Sequence, residues 1–526
     1  MYGIFRPSDD IEEEQYNRVK KKVFDSYSSE TITDKNKIVD ICKVIYEEHE
    51  NILKENIGAF EIEYFLTFVL EEYEKYAKVN SLYNNSALSK RDEENWLSYA
   101  SHSRRGIKYL VEYLCQNNSV LGNKCFTPEL NEIEYMSRVF ISIEEMCSMY
   151  MRIDGYNFTF DDVKLILDES VYLYFNVPQD LKPENRIDYR YERSQVDTLL
   201  PKSGRLIDDL DVHSCTLESS FKEHLGVTYA GLIQFLRSFI SNSRASVVIE
   251  PKSKVIHKLQ EKFNISAQQA KLAIDGFTLS AENLKERKLF SPKQEYRAYH
   301  RGFFEFCING SLVLVFSKTM ASEALQILIS NACYKILPKE WKTKFVEEQL
   351  SVLSNKAGKW FEDVLEAELL GENFGVIRSF KSYRKNNKVK KIPDNVGEID
   401  FLGYLPDSKE LFVIEAKNVR FNTEPRLYRD DISKFISAKK SYSSKFKKKY
   451  DWVVDNLDDV ICKLNQNGIT ASEVSKVYKV MVILYPSPVE QKVTGFSCIN
   501  FVKFVKMIKS QQYAQIESEC LLTADS

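Results

Sequence analysis

Apolar residues recur at spacings of three and four through most of the first 290 or so residues, notably in Ile38–Leu53, Phe60–Tyr76, Leu110–Tyr113 and Tyr135–Met151. Glu and Lys fill the gaps, as on solvated helix faces. Turn-rich breaks near Asn80–Ser89, Gln116–Pro128, Pro178–Asp188 and Leu199–Gly204 punctuate the pattern. The spacing predicts a mostly α-helical N-terminal region over residues 1–200, with a domain boundary at Leu199–Gly204.

The pattern changes over residues 201–345. A helix is expected near Ser219–Ser241, and a shorter one over Ser266–Phe277 with Ser266 as its N-cap. The run Phe303–Phe316 reads as a hairpin, because Asn309-Gly310 sits at its centre. A helix over Ser322–Tyr334 follows. This mixed α/β region is expected to be a recognition or assembly module, or a plain structural domain.

A third pattern occupies residues 350–510. Lys359–Leu370 is amphipathic. Gly397–Tyr404 and Glu410–Lys417 are strand-like and flank the turn residues Pro406-Asp407-Ser408, so they should pair as a hairpin. A helix over Asp430–Lys449 comes next, and the continuous apolar run Val477–Leu484 suits a buried strand. Helix, strand, strand, helix, strand is the order of an α/β sandwich around a mixed sheet.

Composition adds limits. The ten cysteines are dispersed, with no CxxC spacing. No stretch is apolar enough for a membrane span, and the acidic start MYGIFRPSDDIEEEQ lacks a secretory leader's pattern. A cytoplasmic protein with reduced thiols is the expectation. No GxxxxGK[ST] or GxGxxG phosphate loop and no GxSxG motif is found. Net charge is −3, unevenly spread. From Ser351 onward Lys and Arg outnumber Asp and Glu by 28 to 23, whereas before it they are outnumbered 53 to 45. The C-terminal part is where a polyanion would be met.

Four residues in that part carry candidate chemistry. Glu415 and Lys417 are two apart on a strand and so share a face. Asp400 lies in the preceding strand, within reach across the hairpin, and Glu362 lies on the helix before it. Clustered carboxylates favour a hard divalent cation, which can polarise a phosphate and lower the pKa of a bound water. An adjacent lysine can orient or deprotonate that water, or offset developing charge.

The segments GKWFEDV, GEIDFLGY and FVIEAKN, within roughly Lys356 to Pro488, resemble the PD-(D/E)XK nuclease superfamily, the restriction-endonuclease-like nucleases. The resemblance implies a four-stranded mixed sheet flanked by helices, hence a multidomain chain with a helical N-terminal region followed by a restriction-endonuclease-like α/β domain. By position it implies Glu362 as the helix glutamate, Asp400 and Glu415 as metal-binding carboxylates, the Ala416 carbonyl as a further ligand and Lys417 as the catalytic lysine, with Mg²⁺ or Mn²⁺ as cofactor. The literal Pro393-Asp394 precedes Gly397 and reads as loop. Glu398 could share the face of Asp400 or simply be solvated.

Two acid-free basic runs flank these residues. One holds Arg378, Lys381, Arg384, Lys385, Lys388, Lys390 and Lys391; the other holds Lys434, Lys439, Lys440, Lys445, Lys447, Lys448 and Lys449. They are expected to contact phosphates, with Phe380, Tyr383, Phe435, Tyr442 and Phe446 free to stack on bases. The alternative is a solvated surface with the aromatics packed inward. The expected function is a divalent-metal-dependent endonuclease acting on DNA, by analogy a bacterial restriction or anti-phage defence effector. A homodimer, and a protein partner or trigger acting through the N-terminal region, are further expectations. RNA or branched DNA as substrate, or a non-catalytic nucleic-acid-binding or assembly subunit, are the alternatives.

Overall fold

The computed structural model describes residues 3–96, 103–117, 131–158, 160, 162–176, 189–200, 206–285, 289–290, 294–422 and 425–520. The breaks expected within 118–128, 178–188 and 201–204 lie outside them. No helix among the described residues is long and apolar enough to cross a membrane.

The chain forms two compact units. The first comprises Met1–Gln179 and Leu210–Val352. Its helices Lys35–Ile57, Ile62–Asn84, Ser103–Gln116 and Glu132–Phe158 correspond to the four periodic stretches. Three short antiparallel strands, Glu30–Ile32, Lys164–Asp168 and Tyr172–Asn176, add a small sheet that the periodicity does not announce. The expected boundary at Leu199–Gly204 does not separate the helical region from the next. One hydrophobic core joins Ile41, Leu66, Tyr109 and Phe140 to Phe304, Phe306 and Val315.

The Asn-Gly hairpin forms as expected, with strands Phe303–Ile308 and Ser311–Ser317 and both turn residues at positive φ (51° and 75°). Ser266 caps its helix through a full capping box with Gln269. The helix expected over Ser219–Ser241 is instead two, Leu210–Leu225 and Tyr229–Ser241. Gly226 at φ 70° ends the first, and the Thr228 hydroxyl caps the second by accepting from the Gly231 N–H.

The second unit comprises Asp180–Asp209 and Leu353–Ser526. Its helix Tyr189–Leu199 packs on a C-terminal helix, where Lys506 Nζ donates to Gln195 Oε1 at 2.8 Å. The remaining elements, in chain order, are helix α1 (Lys344–Gly371, of which residues from Leu353 on belong to this unit), strand β1 (Gly375–Phe380), β2 (Ser382–Lys385), β3 (Lys388–Lys391), β4 (Ile399–Leu405) and β5 (Glu410–Lys417). Then come α2 (Pro425–Ile432), α3 (Tyr442–Asp455), α4 (Leu457–Gln466), β6 (Lys476–Ile483), β7 (Ser497–Asn500), α5 (Phe501–Ser510) and β8 (Ser518–Cys520).

The central sheet has the order β7-β6-β5-β4-β1, with β8 also pairing to β6. It is mixed: β4 is antiparallel to β1 and β5, while β6 is parallel to β5 and β7. Every residue of β5 from Leu411 to Ala416 is buried, as expected of a strand covered on both faces. Leu411 and Val413 share a core with Phe446, Tyr450 and Val453 of α3 and Val460 and Leu464 of α4. On the opposite face Phe412 stacks on Tyr478 with ring centroids 4.3 Å apart, and Phe361 of α1 meets Phe501 of α5. Helices therefore cover both faces of the sheet.

The expected helix over Asp430–Lys449 is not continuous. After α2 a π-helical turn, Ser433–Ser437, leads into Ala438 in extended conformation, and Ser441 starts α3 by accepting from the Ser444 N–H. The restart sets which residues of α3 point inward.

Candidate active site

Asp400 and Glu415 meet because β4 and β5 pair with Phe401 opposite Ile414. Beyond that pair the ladder stops. The Ala416 N–H, which would otherwise be buried without a partner, donates to Asp400 Oδ2 at 3.0 Å. On its other side Asp400 also escapes pairing. Ile399 and Phe401 face Phe380 and Arg378 of β1, and the intervening Ser379 adopts a left-handed φ of 54°. A non-glycine residue there is uncommon and is often found beside functional groups.

Lys417 projects on the same face as Glu415, as the two-residue spacing requires. Its Nζ lies 2.6 Å from Glu415 Oε1 and 3.4 Å from Asp400 Oδ2, and 5.5 Å from the centre of the Tyr442 ring. A second lysine completes the group. Lys449 Nζ is 3.2 Å from Asp400 Oδ1 and donates to Glu415 Oε2. Two carboxylates and two ammonium groups thus form one compact, nearly buried cluster where β4 begins and β5 ends.

The electrostatics follow from that packing. Burial and the neighbouring Asp400 push the Glu415 carboxyl above its ordinary range, against the pull of Lys417 and Lys449. Burial would raise Asp400 too, but Lys417, Lys449 and the Ala416 N–H together hold it below the usual carboxylate range. Two adjacent carboxyls are therefore driven apart in acidity. Burial alone would lower Lys417, yet Glu415 and Asp400 raise it, so it stays charged.

Lys449, expected in the phosphate-contacting run, turns inward instead. Phe446, Lys449, Tyr450 and Val453 occupy the inward stripe of α3, at i, i+3, i+4 and i+7. Lys449 is 8% exposed, whereas Lys445, Lys447 and Lys448 face solvent. A lysine at an inward position of an amphipathic pattern is the signal that could have found it.

Glu362 does not join the cluster. Its Oε2 receives Arg378 Nη2 at 3.0 Å, and Arg378 also engages Asp363, Glu366 at 3.1 Å and the Lys359 carbonyl. Arg378 is thus committed to protein carboxylates rather than open to phosphate. Asp394 lies in an exposed turn, and Glu398 pairs with Lys381 at 2.8 Å. Lys385 pairs with Asp459. Arg384, Lys388, Lys390, Lys391, Lys434, Lys439 and Lys440 are exposed. Of the five aromatics expected to stack on bases, Phe380, Tyr383, Phe435 and Phe446 are buried instead, and Tyr442 packs edge-on against Phe435.

Among the described residues no group of three or more His, Cys, Asp or Glu side chains is arranged to hold a metal ion. The Asp400 and Glu415 carboxylates nevertheless converge on two shared cations, the Lys417 and Lys449 ammonium groups. Hard oxygen donors that already grip a cation together form a donor set that Mg²⁺ or Mn²⁺ can use. No family model, curated protein or solved structure matches the chain.

Proposed function

We propose that the second unit is a divalent-metal-dependent nuclease that hydrolyses phosphodiester bonds, with DNA as its substrate. The observation that carries this reading is the cluster of Asp400, Glu415 and Lys417 on two paired strands. The core β1-β4-β5-β6, antiparallel except for its last pair and flanked by helices, agrees with the restriction-endonuclease-like sheet that the resemblance implies.

Asp400 and Glu415 would hold the metal, which would supply Lewis acidity to the phosphate and a more acidic bound water. Lys417, kept charged by its two carboxylate neighbours, orients the attacking water and offsets charge on the phosphate. The exposed lysines of β3 and α3 receive the flanking backbone.

One observation favours a second reading. Glu362 stands outside the cluster, and two lysines already neutralise the two remaining carboxylates. A nucleic-acid-binding subunit that keeps the ion cluster without metal chemistry would have this arrangement.

Incubation with plasmid, linear duplex, single-stranded DNA and RNA, with Mg²⁺ or Mn²⁺, separates the two. Metal-dependent cutting that vanishes in Asp400→Ala and Lys417→Ala supports the nuclease. Binding with no cutting under any condition supports the subunit.

A further inference from the structure

We infer that the β2–β3 hairpin is a ribbon that enters the major groove of duplex DNA, an inference that rests on the proposed nuclease reading and names its substrate class. The hairpin follows from its sequence. Asn386 and Asn387 both adopt positive φ, 52° and 56°, as a two-residue turn between strands of matching twist requires. The register sets Lys388 opposite Lys385, Val389 opposite Arg384, Lys390 opposite Tyr383 and Lys391 opposite Ser382.

Opposed residues share a face, so the ribbon has two different sides. Tyr383 and Lys385 turn towards α4, and both bond the Asp459 carboxylate. The Gln466 side chain bonds both the N–H and the carbonyl of Arg384. β2 is thereby fastened to α4, while every residue of β3 is exposed. The arm is braced along one strand and open along the other.

The free side carries Arg384, Val389 and Lys391, all exposed, with Val389 62% accessible. Nothing in the fold explains this set. Arg384, Lys388, Lys390 and Lys391 form no ion pair among the described residues. An external polyanion supplies the missing negative charge. Two paired strands lie roughly 5 Å apart, so with side chains the ribbon fits within the ~12 Å width of the B-form major groove. The chemistry of the free side suits base edges: a guanidinium for guanine, tip amides for adenine and a valine for the thymine methyl. A-form RNA presents a deep, narrow major groove and no thymine methyl, so the same ribbon finds no equivalent site there.

The test uses the full chain carrying Lys417→Ala, in chelator so that nothing is cut. Fluorescence anisotropy is read against a mixed-sequence DNA duplex, the matching RNA duplex and single-stranded DNA, over a salt series. Adding Arg384→Ala and Lys391→Ala is expected to weaken duplex DNA binding by about tenfold or more and to reduce its salt slope by about 1, with RNA duplex binding nearly unchanged. Val389→Ser is expected to erase any preference for thymine over uracil in the DNA duplex. Equal losses on all three nucleic acids, or no loss on duplex DNA, would overturn the inference while leaving metal-dependent cutting by the wild-type chain to be judged separately. Failure of the parent to bind any of the three would overturn the inference, and cutting by the wild-type chain with metal would still decide the nuclease reading. Both positions are exposed, and an unchanged thermal melt confirms that the variants are folded.

Discussion

Lys449 Nζ sits 3.2 Å from Asp400 Oδ1 while also bonding Glu415, so one ammonium bridges the two carboxylates best placed to bind a metal. Without that positive charge Lys417 alone would have to offset the repulsion between the two buried acids. A divalent cation entering between them has to displace Lys449.

Lys449→Met is therefore expected to lower the melting temperature of the metal-free protein and to raise Mn²⁺ affinity by about tenfold, or ~1.4 kcal/mol. Isothermal calorimetry reads the affinity, and a larger Mn²⁺-induced rise in melting temperature than in wild type checks it in folded protein. Unchanged or weaker binding would mean that the ammonium does not stand where the metal goes.

Asp400 and Glu362 should differ sharply. Asp400→Asn is expected to reduce cleavage by at least about 10²-fold, because Asp400 touches both lysines and the Ala416 amide. Glu362→Gln removes only one of several partners of Arg378 and should leave cleavage within about tenfold of wild type. Single-turnover rates on a linear duplex compare them, and a collapse in Glu362→Gln would show that the helix glutamate moves in to complete the site.

Asp431 supplies a pH-dependence. Burial raises its carboxyl from 3.8 to about 6, although the Asn422 amide donates to it at 2.7 Å. A folded-state value above the unfolded one favours the protonated form in the fold. Its contribution is complete below the unfolded value and is lost as pH rises through about 6. Asp431→Asn should thus match wild type in acid and exceed it at neutral pH, by on the order of 3 kcal/mol. Urea titrations at the two pH values measure the difference.

In the first unit Glu112 and Arg297 are both fully buried, with Arg297 Nε 2.8 Å from Glu112 Oε2 and the Ala298 N–H 2.8 Å from Oε1. Glu112→Gln strands the guanidinium and should cost about 3–5 kcal/mol. Chemical denaturation followed by circular dichroism would register this as an unfolding midpoint shifted to lower denaturant.

What the sequence made legible was local. Asn309-Gly310, the Ser266 cap and the alternation around Glu415 and Lys417 each carry their own geometry, and each formed as expected. What it hid depended on phase. Gly226 with Thr228, and Ser441 after Ala438, interrupt patterns that otherwise run on smoothly, so two helices appeared where one was expected and two where a single long one was expected. The restart at Ser441 turned Lys449 inward, and no count of lysines along the run distinguishes it from Lys447 or Lys448. The shared core of Tyr109 and Phe306 joins residues far apart in sequence, which composition shifts at Leu199–Gly204 do not foresee.

The outer edge of β6 is divided between two partners. β7 runs parallel to it over Val480–Ile483, and β8 runs antiparallel over Lys476–Tyr478, with the Glu517 carbonyl accepting from the Lys479 N–H between them. The chain's own late segment thus seals a row of backbone donors and acceptors that would otherwise template another strand. Shortening the chain to end at Gln515 would leave the lower half of that row open, and concentration-dependent self-association would be the first symptom.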